Sequence, residues 1–187
     1  ITCHCRVVMW PEPNNGVKRG ILLIQGAEIE INGAHTLILN ADPEIEFIKS
    51  FEELIAYKKQ HPEIFIIAPH PFFPSITSCL KTQLYDYIDI FDGIENLDFT
   101  LAKLILIEKT TTSQHLDLPY IATSDIHILE QLDWGSHILI DAEKNTESIL
   151  EAIRLNKFKN ISQPLSNFKM AITFAKMNLR ALRRYLP

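Results

Sequence analysis

Short apolar runs alternate along this chain with polar stretches of helical period. Gly20-Ile21-Leu22-Leu23-Ile24 reads as a buried strand, and beyond Gly26 the pattern becomes a strict alternation. Glu28, Glu30 and Asn32 alternate with Ile29 and Ile31, which puts both carboxylates on one face of a strand. Asn32-Gly33 is a hairpin signal, because a two-residue turn needs positive φ at both positions, and His35–Leu39 is the returning strand. Ser50-Phe51-Glu52-Glu53 is a capping box that opens a helix through about Gln60. His61-Pro62 stops that helix, and Ile64–Ala68 is the next strand.

A second cycle follows. Residues near Ser75 to Tyr87 read as helix, Phe91–Glu95 as strand and Leu101 to Ser113 as helix. Tyr120–Thr123 and His137–Ile140 are further strands, and Thr146 is the expected cap of a helix reaching Lys157. Within 166–187 the residues Phe168, Ile172, Ala175, Leu179, Leu182 and Leu186 form one helical stripe. Lys169, Lys176, Arg180, Arg183 and Arg184 lie mostly off it. They read first as cations favoured by the C-terminal helix dipole, and second as a contact for an anionic substrate or partner. The strand–helix alternation predicts an α/β protein with a parallel sheet or barrel, and no linker or repeat divides residues 1–187 into more than one domain.

Composition narrows the class. At 187 residues the chain can bury a substantial core, and its 47% apolar and 22% charged content is that of a folded globular protein. A net charge of −5 argues against a whole-protein nucleic-acid binder, leaving nucleic acid as a substrate at most. No apolar run is long enough to span a bilayer, and no leader is visible. Cys3, Cys5 and Cys79 form no disulfide framework, so a reducing, cytoplasmic setting is expected. Cys3-His4-Cys5 is too tightly spaced for one tetrahedral ion to take all three side chains.

The chemistry gathers at strand ends. His70, in Ala68-Pro69-His70-Pro71, and Asp125 with His127, in Ser124-Asp125-Ile126-His127, each follow an Ile-rich run. Buried imidazoles and carboxylates are costly without partners, so polar side chains delivered at strand ends imply a shared one, and a metal ion is the simplest. Thr2-Cys3-His4, Gly26-Ala27-Glu28 and Ala34-His35 occupy comparable positions. This mixture of nitrogen and oxygen donors suits Zn²⁺, Mn²⁺ or Fe²⁺ better than Ca²⁺ or Mg²⁺. Glu28 has two oxygens and is suited to bridging two ions, an arrangement that favours phosphate ester hydrolysis. Each residue also has a plain structural reading: His35 as an ordinary hairpin histidine, Pro69-His70-Pro71 as a rigid turn, Asp125 as a helix cap. The coincidence of six such positions favours the site. His61, His115 and His137 receive no role.

These segments resemble the PHP family, named for polymerase and histidinol phosphatase. Ile1-Thr2-Cys3-His4 is similar to its I-T-D-H, Gln25-Gly26-Ala27-Glu28 to its G-x-E and Ala34-His35-Thr36-Leu37 to its strand histidine. Ala68-Pro69-His70-Pro71 is similar to its A-x-H-P, Phe91-Asp92-Gly93-Ile94-Glu95 to its D-x-I-E and Thr123-Ser124-Asp125-Ile126-His127 to its S-D-x-H. The resemblance implies a distorted seven-stranded β/α barrel, TIM-like, with the first β/α unit expected before Ile1. It implies two or three divalent metal positions in a complete domain. Glu28, His35 and His70 would complete one of them; Glu28 and Asp125 would supply half of a second, and His4 and His127 part of a third. The second site's other ligands would come from an H-x-H segment on the first strand, absent here, and the third would be completed by another upstream residue. Cys3 stands where the family usually has Asp and Cys5 where it has Asn or Asp, and Asn96–Thr100 also departs from its pattern.

The expected activity is hydrolysis of a phosphomonoester or small phosphodiester by metal-activated water. His4, His127 and Asp125 are the candidate catalytic residues, and a small phosphorylated molecule is the expected partner. The alternative is a degenerate domain that keeps the fold and serves as a binding or scaffold module. Amide hydrolysis on a similar barrel is a weaker third reading. Without the first strand, the neighbouring strand would expose an open edge and favour association.

Overall fold

Asn32 and Gly33 carry φ values of 49° and 78°, so the Asn-Gly pair turns the chain as its sequence predicts. The turn joins β1, Gly26–Ile31, to β2, Ala34–Leu39, in antiparallel register with Ile31 opposite Ala34, Glu30 opposite His35 and Glu28 opposite Leu37. Ala27, Ile29, Ile31, Ala34, Thr36 and Ile38 therefore share one face, and all are buried. Glu28 and His35 share the other. Gly26 is required by close approach: a Cβ there would lie 2.5 Å from the Ile38 carbonyl oxygen and 3.0 Å from the Thr2 methyl.

In this computed structural model the described residues are 2, 6–7, 20–72, 78–97, 116–123, 125–126 and 136–161, with 168, 172 and 175–176. β3, Phe65–Ala68, runs antiparallel to β2, and β4, Gly93–Leu97, runs parallel to β3. With β5, Tyr120–Thr123, they form a five-stranded sheet in the order β1-β2-β3-β4-β5. The sheet is mixed rather than parallel as expected. A two-residue connection can only return the chain antiparallel, whereas the longer excursion from β3 to β4 permits a parallel partner. Every residue of β3 is buried, which accounts for its unbroken apolar run. β6, His137–Ile140, pairs with β7, Phe158–Ile161, in a second sheet. These sheets establish a mixed α/β architecture; the expectation of a seven-stranded barrel goes further than they do.

Helix α1, Phe51–Gln60, begins at the predicted capping box: Ser50 Oγ accepts from Glu53 N–H, and the Glu53 carboxylate accepts from Ser50 N–H. Phe51 buries its ring against Tyr87, stacked at 4.3 Å, and Phe91, edge-on at 6.4 Å. Asp92 ties this helix to the sheet. Its Oδ2 accepts from Lys58 Nζ at 3.0 Å and from Ile66 N–H at 2.8 Å, and its Oδ1 accepts from Arg154 Nε at 3.3 Å. Arg154 also donates to the Ile64 carbonyl at 2.7 Å and lies over the Phe65 ring.

Several boundaries differ from the sequence pattern. Gly20–Ile24 is not a strand; only Ile21 makes an isolated bridge, and it is exposed. The helix expected over Ser75–Tyr87 is reduced to α2, Gln83–Asp86, with residues 73–77 outside the description. Here the backbone is bonded elsewhere: the Ser78 carbonyl accepts from His35 N–H, Lys81 N–H donates to the Pro71 carbonyl, and Lys81 has a φ of 52°. Helix α3, Thr146–Arg154, is capped one residue earlier than expected, by Asn145, whose side chain accepts from Ser148 N–H; Thr146 is buried instead. β7 had no sequence signal, its residues being half polar. The expected helix at Leu101–Ser113 lies outside the described residues; in the C-terminal segment, Phe168, Ile172 and Ala175 of the stripe, and Lys176 beside it, are helical.

The chain divides into two compact units: residues 1–95, 118–120 and 140–158 form the first, and 96–117, 121–139 and 159–187 the second. The first contains Glu28, His35 and His70; the second contains Asp125. Among the described residues, no helix is long and apolar enough to cross a membrane.

Candidate metal centre

The hairpin register brings the first two candidate ligands together. Glu28 stands opposite Leu37 and His35 opposite Glu30, so Glu28 and His35 are diagonal neighbours on one face, within reach of long side chains. Glu28 Oε1 lies 2.8 Å from His35 Nδ1. His70 joins them by a different route. Leu37 opposite Ile67 places Ile67 on the Glu28 face, and simple alternation would send His70, three residues on, to the opposite face. A φ of 31° at His70 breaks the alternation, and its Nε2 comes 3.7 Å from Glu28 Oε1. The two imidazoles meet edge to face, with centroids 5.7 Å apart.

Positive φ in a residue with a Cβ is strained, and His70 is held there by its neighbours. Pro69 has no N–H for the ladder, and the next N–H, that of His70, donates to Glu95 Oε2 at 3.0 Å. Glu95 is buried on β4, the parallel partner of β3. On the far side of the ring, Cys79 Sγ lies 3.6 Å from His70 Nδ1. Burial alone would lower the His70 imidazole; its contacts with Cys79 and Glu28 and the nearby Glu95 carboxylate override this and push it up to about 10.

One ligand atom from each of Glu28, His35 and His70 lies within 4.8 Å of the other two, and all three side chains are half-buried. Two donors at ~2.1 Å from a tetrahedral ion stand roughly 3.4 Å apart, so the group needs only small movements to close on one ion. Two imidazoles and a carboxylate are borderline donors suited to a first-row divalent metal, leaving further coordination positions for water or substrate. The donor set fits such an ion.

The remaining sequence candidates fall differently. His4 and His127 lie outside the described residues. Asp125 directly follows β5 with one residue between, half-buried and with a φ of 40°, a left-handed conformation like that of His70. Of the histidines given no role, His61 stacks on Tyr57 and pairs with Glu63 at 3.3 Å, and His137 is exposed at the start of β6; His115 is outside the described residues. Two residues near the triad carry no site role from the sequence. Glu95 had a signal, the likeness of Phe91–Glu95 to D-x-I-E. Cys79 had none, because its partner is nine residues away across a segment expected to be helical.

No family model and no curated protein matches this chain. Among solved structures, a two-domain protein containing a predicted PHP-like metal-dependent phosphoesterase, from Bacteroides vulgatus ATCC 8482, is similar to it at 24% identity and a TM-score of 0.53. The match covers 77% of this chain and 46% of that one, so this chain spans about half the length of that protein. At this identity the likeness concerns the fold.

Proposed function

We propose that this chain is a metal-dependent phosphoesterase of the PHP type, acting on a phosphomonoester or a small phosphodiester. The observation that carries the reading is the grouping of Glu28, His35 and His70, with Glu28 Oε1 2.8 Å from His35 Nδ1 and 3.7 Å from His70 Nε2. The shared fold with a PHP-like protein supports it, as does the order of the sequence motifs.

In this reading Glu28, His35 and His70 would hold a divalent ion, Zn²⁺, Mn²⁺ or Fe²⁺. Such an ion supplies Lewis acidity and lowers the pKa of water toward ~7, the two requirements for attack on a phosphate ester. The protein's part is to keep the three donors aimed at one place. Glu28 and His35 are fixed by hairpin register, and His70 by the Glu95 carboxylate on its backbone and Cys79 on its ring. From the sequence motifs, His4, Asp125 and His127 are the residues we propose for proton transfer.

The test is metal content of the purified chain together with hydrolysis of p-nitrophenyl phosphate and bis(p-nitrophenyl) phosphate in Mn²⁺. Bound metal and turnover that is lost in His70→Ala support the reading. Bound metal without turnover on either ester favours the binding-module alternative, and absence of stoichiometric metal overturns the phosphoesterase reading.

A further inference from the structure

The stretch Ser78–Lys81 makes three contacts that bear on the candidate centre. The Ser78 carbonyl accepts from His35 N–H at 2.9 Å, Cys79 Sγ sits 3.6 Å from His70 Nδ1, and Lys81 N–H donates to the Pro71 carbonyl at 3.0 Å. One short segment thus grips the backbone of one imidazole-bearing residue, the ring of the second and the turn that follows it. Cys79 is buried, unlike an ordinary surface thiol.

The ring geometry gives Cys79 a chemical task. His70 turns Nε2 toward Glu28 and Nδ1 toward Cys79. An imidazole that ligates through Nε2 must carry its proton on Nδ1, and that proton needs an acceptor. The Cys79 sulfur, 3.6 Å away, is an acceptor in reach. Carboxylates and backbone carbonyls are the usual partners, and sulfur accepts more weakly, which makes burial of the pair important.

We propose that Cys79 is a positioning residue for the metal centre, accepting the Nδ1–H of His70 and so holding Nε2 toward Glu28 and His35. This rests on the metal reading above and deepens it. Cys79 touches no substrate in this role; it acts through His70.

Two replacements separate the hydrogen bond from packing. Cys79→Val keeps an apolar group of similar size but accepts nothing; Cys79→Ser keeps an acceptor but removes bulk. Zinc affinity is measured in the full chain by competition with a chromophoric chelator, and the ring nitrogens of His70 are followed by ¹⁵N NMR in the zinc-loaded protein. Cys79→Val is expected to weaken zinc roughly 10- to 100-fold and Cys79→Ser by less than about fivefold. The His70 ring signals should move in Cys79→Val while those of His35 stay. Equal affinity of Cys79→Val and wild type, with unchanged ring signals, overturns the role of Cys79 alone. Failure of the wild-type chain to bind zinc overturns the metal reading and this inference together. Loss in Cys79→Ser with retention in Cys79→Val assigns Cys79 to packing and also overturns it.

Discussion

Glu28 and His35 meet diagonally across the β1–β2 hairpin with Oε1 and Nδ1 2.8 Å apart, in the register that pairs Ile31 with Ala34. A slip of one residue would turn either strand's side chains to the opposite face and separate the pair. The candidate centre therefore depends on the turn and on the closeness of the two strands.

Gly26 tests that dependence from the strand. A methyl at Gly26 would meet the Ile38 carbonyl oxygen at 2.5 Å, so Gly26→Ala must push the hairpin apart at the end that carries Glu28. A loss of about 1–3 kcal/mol of stability is expected in urea unfolding. Zinc affinity should fall with it, measured at a urea concentration of zero where the variant is still folded. An unchanged unfolding midpoint would show that the strands yield without strain.

The polar clamp at Asp92 should be worth more than an exposed ion pair. Asp92→Ala leaves Lys58 and Arg154, both partly buried, without their shared carboxylate, and removes the acceptor of Ile66 N–H. A loss of about 2–4 kcal/mol is expected by chemical denaturation. A change below about 0.5 kcal/mol would reduce the clamp to a surface pair.

Thr36 offers the opposite sign. Its side chain is fully buried on the core face of β2, and its Oγ1 has no hydrogen-bond partner among the described residues. Thr36→Val keeps the shape and removes the buried hydroxyl, so a gain of about 1 kcal/mol is expected in thermal or urea unfolding. Destabilisation by the same substitution would mean that the hydroxyl is bonded.

Protons and metal compete at His70. The group is raised from its ordinary 6.5 to about 10 in the metal-free fold, so the folded state binds its proton more tightly than the unfolded chain. The resulting stabilisation is full below 6.5 and is lost as pH rises through about 10. Thermal melts of the metal-free chain against those of His70→Ala should therefore converge on the alkaline side. A metal ion needs the neutral imidazole, so zinc uptake at neutral pH should release a proton and weaken as pH falls. Calorimetry in buffers of different ionisation enthalpy reads that release; uptake without proton release would contradict the protonation assigned to His70.

The legible parts of the fold were those determined by local chemistry. Asn32-Gly33 set the hairpin and its register, and with them the meeting of Glu28 and His35; Ser50 and Glu53 set the start of α1. Tyr120–Thr123 and His137–Ile140 stood out as short apolar runs and are strands. The misread segments were those whose backbone bonds run to distant partners. Ser78 and Lys81 bond to His35 and Pro71 instead of to a helical turn, a choice made by tertiary contacts. His70 was visible as a polar residue at a strand end, but its left-handed φ, which turns the ring toward Glu28, follows from Pro69 and the Glu95 carboxylate rather than from the pattern of its own strand.

The central claim is that Glu28, His35 and His70 hold one ion together. Cobalt(II) binding to the full chain, followed through its visible d–d absorption, tests this directly in wild type and in Glu28→Gln, His35→Ala and His70→Ala. The prediction is one ion bound by wild type with a low-symmetry spectrum, and at least roughly 100-fold weaker binding in each variant while its far-ultraviolet dichroism stays native. Native-like folds that bind cobalt as tightly as wild type, with an unchanged spectrum, would show that these three side chains do not share an ion.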